Sequence, residues 1–401
     1  MKTDNQVYLM FLISTAFLGL VFVETKIYLY AVLFLMFVFF VTQNKKESFY
    51  RPCFIALLFS LVLNAISSNE YRGQSYIETL KVDKVFFELF FFYALIYINP
   101  SLKVLDRVVP KLILTVLACY IFQIVIFPYA LFGTSAAEWV QEGGKYQYRF
   151  IAVNGIIMIA MGFLYYLNRY LIRKERAALL LCMLCASVFL IRGYRIMIFG
   201  GVITAMWVYF RCTRNKMLFT KIFRLIMIAF GILIVTIFSY KIPVVQRSVD
   251  GLLERITSGE ANLGNDSYIR IVSINYYYTS YFKNPIELIL GSGLPHVDSS
   301  VGKFYFNQLL ATNYNFYDWG YIGLSWFAGI PTVLCIIWMA IKSFLVKVPR
   351  QYYYIGAFFI YTIVVSFTDP EAYTKGAFTV QAFLMYYIAK IRLESIKFRN
   401  I

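Results

Sequence analysis

Two arginines interrupt one of the most apolar parts of this chain. In FLIRGYRIMIFGG, Arg192 and Arg195 stand three apart, a spacing that puts both side chains on one face of a helical turn. The planar guanidinium fork matches phosphate oxygens bidentately, so the pair reads as a clamp for an anionic group. The plainer reading is a pair of rim residues whose apolar stems lie along the bundle. Arg149 in EGGKYQYRF and Arg270 in NDSYIRIVS are further candidates for the same anion. The one histidine, His296, lies in the broken loop GSGLPHVDSS. Neutral imidazole, with a reference pKa of about 6.5, can take a proton near pH 7. Gly291, Gly293 and Pro295 can hold such a loop where backbone approaches a ligand. Asp318 in YDWGYIGL is the rival base, or else a helix cap. His296 is preferred, because its unperturbed pKa lies nearest neutrality. The rest of the chain offers no Walker loop, no Ser-His-Asp spacing and no histidine-rich zinc pattern, so neither metal nor cofactor is expected. Cys182 and Cys185 have CxxC spacing within an apolar helix, where free cysteine behaves as a small packing residue.

These residues need elements to hold them, and composition sets the class. Hydrophobic residues make up 60% of the 401 and aromatic residues 19%, and apolar runs of about 18 or more residues can span a bilayer. The chain reads as an all-α polytopic membrane protein with about twelve spans, near 7–23, 27–41, 52–66, 85–98, 110–132, 150–167, 177–191, 196–210, 222–239, 319–341, 352–367 and 376–390. No cleavable signal peptide is expected before Glu24. With the N-terminus inside, alternate short segments carry 23 lysines and arginines against 9 on the other side. That bias places both termini in the cytoplasm. The net charge of +17 is then a set of cytoplasmic anchors against anionic lipid, and no nucleic acid partner is needed. Residues 1–239 form an N-terminal bundle of about nine helices, 240–318 a large external loop, and 319–401 the last helices and tail. Within the loop, PVVQRSVDGLLERITSG has the pattern of an interfacial helix. NDSYIRIVSINYYYTSYFKNP predicts a second helix, which starts at Asp266 or Ser267 and stops before Pro285.

The layout and three loose motifs resemble the O-antigen polymerase and ligase superfamily, bacterial enzymes that use polyprenyl-diphosphate-linked glycans. The motifs are Arg270 followed by Asn284-Pro285 and the Gly291-x-Gly293 turn; Asn315 followed by Gly320 and Gly323; and Arg192 in IRGYR. Many ligases place histidine directly before the asparagine, whereas Tyr314 stands there in this chain. The resemblance implies a glycosyltransferase of the bacterial inner membrane that polymerises lipid-linked repeat units at the outer face, independent of nucleotide sugar and metal. It implies diphosphate on Arg192, Arg195, Arg270 and Arg149, a base at His296 or Asp318, and glycan on Tyr314, Asn315, Tyr317 and Trp319. Partners would be polyprenyl-diphosphate-linked oligosaccharides, membrane lipid and a chain-length regulator protein. A ligase with another acceptor and a lipid-linked oligosaccharide flippase are the other readings.

Overall fold

The computed structural model describes residues 3–14, 26–125, 138–142, 145–149, 157–192, 195–213, 269–309, 312, 314–374 and 376–399. Among them the architecture is helical, with one antiparallel hairpin of β1 (Glu138–Glu142) and β2 (Lys145–Arg149). The sequence predicts a helix entered at Arg149; instead Arg149 pairs with Glu138 in the hairpin, and the next described helix is Ile157–Arg173. Alternation in KYQYR is a strand period, and the span estimate from bulk hydropathy passes over it.

The first ten helices are α1 (Thr3–Ser14), α2 (Lys26–Gln43), α3 (Arg51–Arg72), α4 (Tyr76–Val82), α5 (Lys84–Phe87), α6 (Phe91–Ile98), α7 (Leu102–Val125), α8 (Ile157–Arg173), α9 (Arg176–Arg192) and α10 (Arg195–Cys212). The later ones are α11 (Ile269–Tyr276), α12 (Pro285–Leu290), α13 (Ser300–Phe304), α14 (Gly320–Ala328), α15 (Ile330–Leu345), α16 (Tyr353–Val365) and α17 (Ala377–Arg399).

Among the described residues one helix, α3, is long and apolar enough to cross a membrane, and Arg176–Phe189, Ile196–Cys212 and Ile330–Leu345 are shorter apolar helices. Twelve full-length spans are therefore more than the described helices supply. The expected span 319–341 breaks at Gly329, whose φ is 88°, and the expected span 85–98 is interrupted by a 3-10 turn at Glu88–Phe90. Helix α16 has 13 residues, which at 1.5 Å each reach about 20 Å against a hydrocarbon core of about 30 Å. The expected span 222–239 and the interfacial helix of PVVQRSVDGLLERITSG lie outside the described residues.

One aromatic cluster joins the early helices to the core: Phe40, Phe54, Phe90, Phe92 and Tyr93 are all buried, and Phe54 stacks on Phe92 at 5.4 Å between centroids. Helix α8 packs against α9, α10 and α16, and α15 packs against both α3 and α16.

The basic connections gather at one end. Asn168 at the end of α8 donates to the carbonyls of Arg350 and Gln351, Lys390 donates to Asn99, and Lys342 and Arg392 both lie over the ring of Phe49. The C-terminus of α3 lies among the residues of 281–300. Arg72 pairs with buried Glu287, donates to the carbonyl of Tyr281 and lies over its ring, while Lys283 reaches the carbonyl of Tyr71 at 2.7 Å.

Candidate functional site

Phe316–Trp319 is a 3-10 turn capped by Asn315. Its side-chain oxygen accepts from the Tyr317 backbone N–H at 3.1 Å and from the Tyr305 hydroxyl at 2.8 Å. An asparagine expected to meet glycan thus uses that oxygen to set the turn that carries Asp318. Burial holds the Tyr305 phenol well above its ordinary range, and the nearby charge of Asp318 pushes the same way, so Tyr305 stays a donor.

Helix α11 supplies the other wall. Ser273 accepts from the Trp319 indole at 3.0 Å, Tyr276 meets Tyr314 at 5.1 Å between centroids, and the Tyr277 hydroxyl donates to the Tyr314 carbonyl at 2.9 Å. Beyond α11 the chain continues as a π turn, Tyr277–Tyr281, rather than as the uninterrupted helix that the sequence predicts. Tyr277 stacks on Trp326 at 4.0 Å. Burial raises the Tyr277 phenol strongly, and it pushes Tyr281 up to about 12. The phenols of this wall are therefore neutral hydrogen-bond donors. Of the four residues expected on glycan, Tyr317 is the most open, with its ring stacked on buried Phe316; Tyr314, Asn315 and Trp319 are half-buried.

Asp318 follows the Asn315 cap instead of acting as a helix N-cap itself, its backbone N–H donating to the Asn315 carbonyl at 3.3 Å. Its charge reaches Tyr373 as well as Tyr305. Tyr373 belongs to the turn that follows α16, and its hydroxyl donates to the Gly320 carbonyl at 3.0 Å. Gly320 has a φ of 50°, and a Cβ there would run into the Ser366 carbonyl. The glycine pattern after Asn315 therefore lets two chain segments touch.

His296 has its own set of partners. Its Nδ1 accepts from the Asp298 N–H at 3.3 Å, its carbonyl accepts from Ser299, and its N–H donates to Gln74. None of these partners belongs to 314–319. In the Gly291-x-Gly293 turn, Gly291 has a φ of 84° and a Cβ would strike the backbone of Phe327 and Gly329. Asn64 of α3 donates to the carbonyls of both Leu290 and Phe327 at 2.7 Å, and Ser67 donates to that of Gly291. The close approach is between protein backbones, and it ties α3, α12 and α14 together.

The arginines are placed by backbone alone, and their side chains lie outside the described residues. Arg192 is the last described residue of α9 and Arg195 the first of α10, and the two positions between them lie outside the described residues. Strand β2, which ends at Arg149, lies against α9. Arg270 is the second residue of α11, the helix that holds Trp319. By backbone, then, Arg149 ends a strand that lies against the helix Arg192 ends, and Arg270 stands in the first turn of the helix that holds Trp319.

Sequence reasoning missed Arg72 and Glu287. Their signal was local: Gly73 follows Arg72 at the end of a long apolar run, and Asn284-Pro285 places Glu287 at the third helical position, where Asn284 accepts its N–H at 2.9 Å. Cys182 and Cys185 are buried, and burial alone gives them their packing role. No group of three or more metal-ligating side chains occurs among the described residues. Comparison with protein-family models, with curated proteins and with solved structures returned no match.

Proposed function

We propose that the chain is a membrane-embedded glycosyltransferase that polymerises lipid-linked oligosaccharide repeat units at the outer face of the bacterial cytoplasmic membrane. The observation that carries the membrane part is the apolar exterior. Ile55, Phe59, Val62 and Ile66 are exposed along one face of α3, as are Leu334, Trp338, Ile341 and Leu345 along α15. A water-soluble monomer rarely exposes stripes of this kind, and the basic connections gathered at one end supply the cytoplasmic rim. The turn bearing Asp318 lies against the aromatic wall and is joined to α11. A carboxylate that accepts the proton of an acceptor sugar hydroxyl, beside rings that stack on sugars, is the chemistry of glycan transfer.

In this reading Arg192 and Arg195 hold the diphosphate of a polyprenyl-linked chain and stabilise the charge that develops on it as leaving group. Asp318 takes the proton from a hydroxyl of the second lipid-linked unit. The oxygen attacks the anomeric carbon, the bond to diphosphate breaks, and the growing chain passes to the acceptor. Asn315 and Tyr305 are positioning residues.

The test is the surface glycan of a strain lacking the gene, complemented with wild type or with Arg192→Lys and Arg195→Lys variants. The deletion is expected to leave single-repeat glycan, which wild type lengthens. Each lysine variant, although expressed normally, is expected to lose most of the polymer, because a point charge does not reproduce a forked contact. Lipid-linked polymer without surface glycan would instead indicate a ligase, and repeat units trapped inside a flippase. Normal polymer from both variants would reduce the arginines to rim anchors.

A further inference from the structure

At the basic end of α3 lies an open groove of about 590 Å³, lined by Ser48, Arg51, Pro52, Ile55, Ala56 and Phe59. Its two ends differ in chemistry. Ile55 and Phe59 are 48% and 65% exposed, and Val62 and Ile66 extend the same apolar face along the helix. At 1.5 Å per residue, the wall from Arg51 to Ile66 is about 22 Å long, close to the depth of one leaflet with its headgroups. Arg51 stands at the mouth, exposed, and its side chain forms no hydrogen bond or ion pair among the described residues. Lys45 and Lys46 are exposed beside it. The nearest acid, Glu47, is buried, and its carboxylate accepts from the backbone N–H groups of Phe49 at 2.6 Å and Tyr50 at 2.8 Å. It faces the chain and leaves the mouth cationic.

We propose that this groove is a binding site for one anionic phospholipid of the inner leaflet. The phosphate sits on Arg51 with the Ser48 hydroxyl, Lys45 and Lys46 provide the surrounding positive charge, and one acyl chain runs along Pro52, Ile55 and Phe59. Charge complementarity argues for this occupant. A cationic mouth over an apolar wall matches an anionic headgroup over a hydrocarbon chain, and the guanidinium is the side chain best shaped for phosphate. A zwitterionic lipid would bring its own cation to the same mouth. The inference rests on the membrane reading and is independent of the glycan chemistry.

Native mass spectrometry of the full-length protein, released from detergent with graded phosphatidylglycerol or phosphatidylcholine, tests it. Wild type is expected to retain one phosphatidylglycerol about tenfold more tightly than phosphatidylcholine, because both lipids offer the phosphate but only phosphatidylcholine sets a quaternary ammonium against the cationic mouth. Arg51→Gln is expected to lose that preference. Phe59→Asp, which places a carboxylate in the path of the chain, is expected to lose retention of both lipids. Carbonate extraction of the same cells separates the two claims. A chain that stays in the membrane pellet but binds both lipids equally, or whose Arg51→Gln variant matches wild type, overturns the groove and leaves the membrane reading standing. A chain released by carbonate overturns both.

Discussion

Asp318→Asn is expected to lower the rate of glycan transfer by about 10²–10⁴-fold, the range for loss of a general base, while His296→Gln stays within about threefold of wild type. The asparagine keeps the size of the side chain and the backbone hydrogen bond to Asn315, so the 3-10 turn survives and the loss falls on proton transfer. His296 starts from a different position. Its ring nitrogen is engaged with the Asp298 N–H, and its loop is fastened to Gln74 and Ser299. The measurement is single-turnover transfer between lipid-linked units at saturating donor, with expression and thermal unfolding as controls. A severe loss in His296→Gln with an active Asp318→Asn enzyme would reverse the assignment.

The second large effect concerns stability. Glu287 has no exposed side-chain surface, and the Arg72 side chain is 15% exposed. Glu287→Ala removes the partner of a cation that is nearly out of water. Breaking a buried pair in this way costs about 3–5 kcal/mol. Arg72 also donates to the Tyr281 carbonyl and covers its ring, so the lesion should loosen the π turn Tyr277–Tyr281 and, through Tyr277, Tyr314. Denaturant unfolding in detergent should show the loss. The double variant Arg72→Met with Glu287→Leu should recover much of it, because it leaves no unpaired charge. A Glu287→Ala protein within about 1 kcal/mol of wild type would show the pair to be solvated and weak.

The helical class of the fold was legible in composition, and the grouping of basic segments at one end was legible in the distribution of lysine and arginine. Lengths were not. Hydropathy registers Gly329 as one neutral residue in an apolar run, whereas its left-handed φ divides the run into α14 and α15. The hairpin at 138–149 was hidden because KYQYR carries its alternation in polar and aromatic residues. In the site, Asp318 and Asn315 could be read as chemistry, but their company could not. Tyr305, Ser273 and Tyr373 reach them from separate parts of the chain, and no local pattern announces a contact of that range. The glycines could not be resolved from sequence for a physical reason: the need for a bare Cα is the same whether a ligand or another backbone approaches, and at Gly291 the structure shows backbone.

Every step of the proposed chemistry requires that the end carrying residues 281–319 face outward across a membrane and that the basic end face the cytoplasm. Cysteine labelling decides this directly. In a background without the six native cysteines, Asp298→Cys replaces a side chain that is 78% exposed, and Lys46→Cys sits at the opposite end of the bundle on an exposed position. Asp298→Cys is expected to react with an impermeant maleimide on intact cells permeabilised only at the outer membrane, and Lys46→Cys only after lysis. Labelling of Asp298→Cys only after lysis would contradict the orientation and the mechanism built on it.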